Sequence, residues 1–170
     1  MGWNIPDRVN GRIAEVLVHE LFHKVGFKVY PFGYENTLTG LTYSLKKIKS
    51  NKRSKVQSKI ANMPDFVMHH EKKGTFFIEV KYRSKGNFTK KDAEGYDEDT
   101  LFVLCSPKVI LCSSQQELVG GVELSAEGYV SGQLLGDREE FNFDLDERKI
   151  IREFCKYFIE TIIITTSSYG

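Results

Sequence analysis

Residues 63–81 read Met63-Pro64-Asp65-Phe66-Val67-Met68, then His69-His70-Glu71-Lys72-Lys73-Gly74-Thr75, then Phe76-Phe77-Ile78-Glu79-Val80-Lys81. Two apolar runs of strand length and strand composition flank a polar turn, and Gly74 suits the chain reversal between them. The spacing predicts a β-hairpin. Side chains two residues apart on a strand share a face, so Glu79 and Lys81 project together, and pairing the strands brings Asp65 alongside. Two carboxylates and one ammonium then meet at one spot on a rigid sheet. Neighbouring buried carboxylates repel unless a positive charge joins them. A hard divalent cation with oxygen ligands does this well. Such a set suits metal-assisted hydrolysis of a phosphodiester, by polarising the phosphoryl oxygen and generating a nucleophile from water.

Upstream of the hairpin, Ile13, Ala14, Leu17, Val18, Leu21, Phe22 and Val25 recur at helical spacing, which predicts a helix over residues 11–25. Asn10 is its expected N-cap and Gly26 its stop. Residues 1–10 read as a lead-in, and Phe27 to Phe32 as a short strand. Glu15 lies at the border of the apolar stripe, near Val18 and Phe22.

The pattern Pro64-Asp65 followed by Glu79-Val80-Lys81 resembles the motif of the PD-(D/E)XK nuclease superfamily, which includes restriction endonucleases and archaeal Holliday-junction resolvases. The string Gly11-Arg12-Ile13-Ala14-Glu15, with Gly26-Phe27 following, is similar to the first-helix motif of the resolvase-like members. The resemblance covers about residues 11–119. It implies a restriction-endonuclease-like α/β sandwich with a mixed central sheet flanked by helices. It also implies a Mg²⁺- or Mn²⁺-dependent endonuclease acting on duplex or branched DNA, with a homodimer as the arrangement that cuts both strands. Asp65, Glu79 and the Val80 carbonyl would be the metal ligands, and Glu15 would support a second ion or an ordered water. Lys81 would orient or activate the attacking water. Some relatives have a substrate-contacting tyrosine where Tyr96 stands, preceded by a glutamine. Here Asp92 occupies the glutamine position, so Tyr96 is not carried into the site.

A rival motif shares the first helix. His19-Glu20-Leu21-Phe22-His23 fits His-Glu-x-x-His, which sets two zinc ligands one turn apart around a catalytic glutamate. This resembles zinc metallopeptidases. Val29 stands where the extended motif needs its next histidine, no clear third ligand follows, and Lys24 places a charge just after His23. Eighteen residues ahead of the motif leave little room for the substrate-binding sheet of those enzymes.

Charge is unevenly distributed. Residues 1–91 hold 18 Lys and Arg against 7 Asp and Glu, and residues 92–170 hold 6 against 16, although the whole chain nets +1. The segment before the hairpin carries Lys46, Lys47, Lys49, Lys52, Arg53, Lys55 and Lys59 with no acid after Glu35. It reads as a basic helix or arm over Leu45 to Ile60. With Arg83 and Lys85 it is the expected phosphate-tracking surface. A second class of function follows from it: a nucleic-acid-binding module on the same fold that cuts nothing.

The remaining chain predicts a short helix over Lys90 to Tyr96, core strands at Leu101 to Cys105 and Lys108 to Cys112, and a short helix over Ser113 to Val119. A peripheral hairpin is expected within Val122 to Asp144. Asp146 to Ile163 reads as a final amphipathic helix, capped by Asp144 or Asp146. Its stripe of Ile150, Ile151, Phe154, Phe158, Ile159 and Ile162 either covers the sheet or meets a second copy. The 170 residues read as a single domain with one sizeable core. Its three cysteines, in apolar surroundings with no Cys-x-x-Cys pair, read as buried reduced thiols. No signal sequence or membrane-length apolar stretch is visible, so a cytoplasmic protein is expected.

Overall fold

The computed structural model describes residues 5–33, 48–49 and 52–167, with the side chains of residues 5–6 and 163–167 set aside. A long helix α1 (Ile5–Lys24) leads into β1 (Lys28–Pro31), then α2 (Lys55–Ala61) and the hairpin β2 (Phe66–His70) and β3 (Gly74–Tyr82). There follow β4 (Asn87–Phe88), α3 (Lys90–Ala93), β5 (Thr100–Cys105), β6 (Ile110–Ser114), α4 (Gln115–Val119), β7 (Leu124–Ser125) and the closing helix α5 (Leu145–Ser167). Among the described residues the main sheet has five strands in the order β1-β2-β3-β5-β6, and β4 pairs with β7 apart from it. The β3–β5 pair is parallel and the other three pairs are antiparallel. The molecule is therefore an α/β sandwich around a mixed sheet, with β3 at its centre.

Alternation along the strands separates two cores. Phe76, Ile78 and Val80 of β3, with Leu101, Val103 and Cys105 of β5, face the larger core beneath α1 and α5. Phe102 and Leu104 of β5 face the opposite way, into a smaller core closed by Phe88, Ala93, Leu118 and Leu124. Because the period is two, Phe77, Glu79 and Lys81 all project from the second face of β3. The hairpin register Phe66↔Ile78, carried one step further, sets Asp65 opposite Glu79 on that face. The turn is tighter than expected: it closes at Gly74, whose φ of +107° only glycine adopts cheaply.

Helix α1 starts at Ile5, well before its expected start at residue 11. Pro6 tolerates the first helical turn, where no N–H partner is needed. Asn10 is consequently not a cap. It is buried within the helix, and its side-chain amide donates to the Tyr82 hydroxyl at 3.3 Å. The far end follows expectation: Gly26 N donates to His23 O and Phe27 N to Phe22 O, the paired bonds of a Schellman stop. The Phe22 and Phe27 rings meet edge-on across it. Helix α2 begins at a Ser54 capping box and spans only the last part of the expected basic helix. Helix α3 stops at Ala93 rather than Tyr96.

The segment 122–144 is not a peripheral hairpin. It forms turns, with β7 as an edge partner for β4, and it drives Phe141 and Phe143 into the larger core beside Phe22 and Phe27. Asp144, not Asp146, caps α5: Glu147 N donates to Asp144 Oδ1 at 2.9 Å, and Asp144 N to Glu147 Oε2 at 2.8 Å. Ile151, Phe158 and Ile162 of α5 are buried on the sheet side, so the helix covers the core. Lys73, in the β2–β3 turn, makes a largely buried ion pair with Glu147 and lies 5.3 Å from the centre of the Phe143 ring. Cys105 and Cys112 are buried free thiols and Cys155 is a partly buried one, all pushed up in pKa by burial. No described helix is long and apolar enough to cross a membrane.

Candidate functional site

Asp65 and Glu79 are tied to each other through the backbone. Asp65 N donates to Glu79 Oε2 at 3.1 Å, and Val80 N donates to Asp65 Oδ2 at 2.8 Å. Each carboxylate thus takes an N–H from the other strand in place of the ladder bond that lapses where β2 begins. Pro64 is part of the reason. It stands opposite Val80 on the continued register and has no N–H to give. Asp65 is also fixed from its other edge, because its carbonyl accepts from Phe32 N at 2.8 Å and from Gly33 N at 3.3 Å.

The remaining oxygen of Glu79, Oε1, accepts from the Tyr96 hydroxyl at 2.8 Å and from Lys81 Nζ. Lys81 Nζ lies 5.7 Å from the centre of the Tyr96 ring. Asp65, Glu79, Lys81 and Tyr96 line one cleft of about 260 Å³, together with Glu15 and Arg12 from α1 and Met63 from the loop after α2. All four side chains expected to carry chemistry therefore face a common space. Glu15 reaches it from the helix and is paired with Arg12 at 2.8 Å.

Burial and mutual repulsion make a second negative charge in the cleft costly. Burial, then the neighbouring Glu79 charge, push the Asp65 carboxyl from 3.8 up to about 8, against the opposing pull of the Val80 N–H and Lys81; Glu15 adds to the rise. Burial alone would favour a neutral Lys81, but the adjoining Glu79 carboxylate overrides it and holds the amine above its ordinary value. Burial and then Glu79 likewise raise the Tyr96 phenol. Lys81 is accordingly held as a cation that donates a hydrogen bond to Glu79. Asp65 therefore favours its protonated form near neutral pH.

Among the expected ligands, Asp65, Glu79 and Glu15 line the cleft and bring carboxylate oxygens alone, whereas Val80 is not among its lining residues. This set fits a hard ion of the Mg²⁺ or Mn²⁺ kind. Among the described residues, no three His, Cys, Asp or Glu side chains stand together as a metal-ligating group. The compact set consists of two carboxylates, with Glu15 further out. The same finding bears on His19 and His23. His19 contacts Glu20 at 3.2 Å and packs on the Phe66 ring at 5.8 Å, His23 is exposed, and neither gains a third ligand among the described residues.

The expected phosphate-tracking residues divide. Lys46 and Lys47 lie outside the described residues. Lys49, Lys52, Lys55, Lys59 and Lys85 are exposed, and Arg53 is half-buried. Arg83 is engaged locally, bridged to Asp92 and set over the Phe88 ring at 5.4 Å. Tyr96 is the site residue that sequence reasoning passed over. The signal for it was not the residue four before it but Gly95, whose positive φ turns the chain so that the phenol faces β3. No protein-family model matches the chain, and a search of curated proteins returns no match.

Proposed function

We propose that the protein is a Mg²⁺- or Mn²⁺-dependent nuclease that hydrolyses DNA phosphodiester bonds, most simply as an endonuclease on the restriction-endonuclease-like fold. The observation that carries this reading is the reciprocal Asp65–Glu79 pair on the central strands, sharing one cleft with Lys81 and Glu15. A second negative charge in this cleft is costly, as the raised Asp65 carboxyl indicates, and a bound cation would relieve it. Asp65, Glu79 and the Val80 carbonyl would hold the ion, which supplies Lewis-acid polarisation of the phosphate and lowers the pKa of a bound water. Lys81 donates to the non-bridging phosphate oxygen or to the attacking water and offsets charge as it builds in the transition state. Tyr96 keeps the Glu79 carboxylate oriented when Lys81 turns from it to substrate. Glu15 anchors an outer water, and Arg12 holds Glu15 in place. The exposed lysines of the segment before the hairpin follow the phosphate backbone.

A binding module that does not cut is the second reading. One observation favours it: both Glu79 oxygens already accept from protein donors, so the carboxylate is satisfied without a metal. The separating experiment incubates the protein with duplex, flap and four-way-junction DNA in Mg²⁺, Mn²⁺ and EDTA. Metal-dependent cleavage that disappears in Asp65→Ala and Lys81→Ala supports the nuclease. Binding by all three proteins with no cleavage under any condition refutes it and leaves the module.

A further inference from the structure

Behind the Met63–Tyr96 wall of the acidic cleft lies a second cavity, of about 530 Å³, lined by Phe32, Lys59, Asn62, Phe77, Asp97 and Glu98. Two aromatic rings line it. The Phe32 and Phe77 rings stack at 5.6 Å with only 25° between their planes. Phe77 precedes Glu79 by two residues on the same face of β3, a spacing of about 7 Å along the strand. Phe32 is held by the Asp65 carbonyl. The aromatic rings and the acidic pair are therefore parts of one rigid frame, about one nucleotide apart. Gly95 backs closely on the Asn62 side chain, whose amide nitrogen lies 2.4 Å from where a Cβ would stand.

The lining selects what enters. Asp97 and Glu98 outnumber Lys59 in the lining, which favours a neutral ring inside and leaves Lys59 at the cavity to meet the adjoining phosphate. Carboxylates and an amide offer acceptors to an exocyclic amine, which cytosine, adenine and guanine carry and thymine lacks. A paired base cannot reach a stacking platform; only an unstacked one can. Resting on the proposed nuclease reading, we propose that this cavity receives an unpaired, amine-bearing nucleobase next to the scissile phosphate. The preferred substrate class is then DNA with a single-stranded element, such as a flap, an overhang or an open junction, rather than continuous duplex.

The test measures fluorescence anisotropy in EDTA, where cleavage is absent, with labelled oligo-dC, oligo-dT and a blunt duplex. The wild type is expected to prefer oligo-dC over both. Phe77→Leu, which keeps apolar bulk on the strand, should weaken oligo-dC binding between about 5-fold and about 100-fold while leaving duplex binding unchanged. Should Phe77→Leu misfold by circular dichroism, the exposed pair Asp97→Ala with Glu98→Ala, which removes the acceptors, serves instead and should reduce the oligo-dC to oligo-dT ratio to about one. Equal losses on single strands and duplex, or no selectivity in the wild type, overturn the subsite. Cleavage assays on the same DNAs in Mg²⁺ separate the two ideas. Cutting of blunt duplex that ignores Phe77→Leu sinks the subsite and keeps the nuclease. Selective oligo-dC binding without any cutting keeps the subsite and sinks the nuclease.

Discussion

Replacing Asp65 by asparagine should stabilise the metal-free protein. The folded state pushes this carboxyl from 3.8 to about 8, so it holds the proton more tightly than the unfolded chain does. Its contribution to stability is complete below the ordinary carboxylate pKa and is lost as pH rises toward about 8. At pH 7 the loss spans about three tenfold changes in proton affinity, or roughly 4 kcal/mol at 1.36 kcal/mol each. The carboxyl keeps some contact with the open cleft, and solvent screening reduces this to about 2 kcal/mol. The substituted amide keeps an oxygen for the Val80 N–H and carries no charge. For a chain of this size, about 2 kcal/mol corresponds to a rise in Tm of roughly 4–8 °C. Thermal melts followed by circular dichroism in EDTA, at intervals from pH 5 to pH 8, measure it. The gap between Asp65→Asn and wild type should widen as pH rises. Adding Mg²⁺ should narrow it by stabilising only the wild type, as binding to the folded state must. A gap that is absent, constant with pH or unaffected by Mg²⁺ refutes the claim that these carboxylates are short of positive charge.

Tyr96→Phe removes one hydrogen bond to Glu79 while keeping the edge contact with Phe102 at 5.0 Å. It should cost about 1 kcal/mol in urea unfolding and lower cleavage without lowering DNA affinity. Phe141→Ala should cost about 3–5 kcal/mol, because the ring is fully buried among Phe22, Phe27 and Phe76; a change under about 1 kcal/mol would return residues 122–144 to the periphery. Arg138 and the Ser113 and Ser114 donors outweigh burial and hold Glu117 down at about 2, so its stabilisation is present above its ordinary 4.5 and is lost as pH falls toward about 2. Glu117→Gln should flatten the acid limb of stability by about 1 kcal/mol after solvent screening, read from chemical denaturation at pH 3 and pH 6.

The hairpin and the meeting of its charged side chains were legible because strand alternation is local: once Phe66–Met68 and Phe76–Val80 read as paired strands, the common face of Asp65, Glu79 and Lys81 followed from a period of two. Helix α1 was legible in its apolar stripe but not at its start, because Asn10 looks like a cap until the distant Tyr82 gives its amide a buried partner. Phe141 and Phe143 alternate with polar residues, as an edge strand would. Only the packing of Phe22 and Phe27 reveals that they belong to the centre. Tyr96 was hidden for a similar reason. Its role depends on a bond to Glu79 across the sheet face, and no local spacing encodes that bond.

The ion pair between Lys73 and Glu147 links the tip of the acidic hairpin to the first turn of the closing helix. Glu147 also completes the cap that starts that helix, so a single carboxylate determines both where α5 begins and where the hairpin tip rests. The closing helix contributes no group to the cleft, yet it is bonded to the turn of the hairpin that carries Asp65 and Glu79.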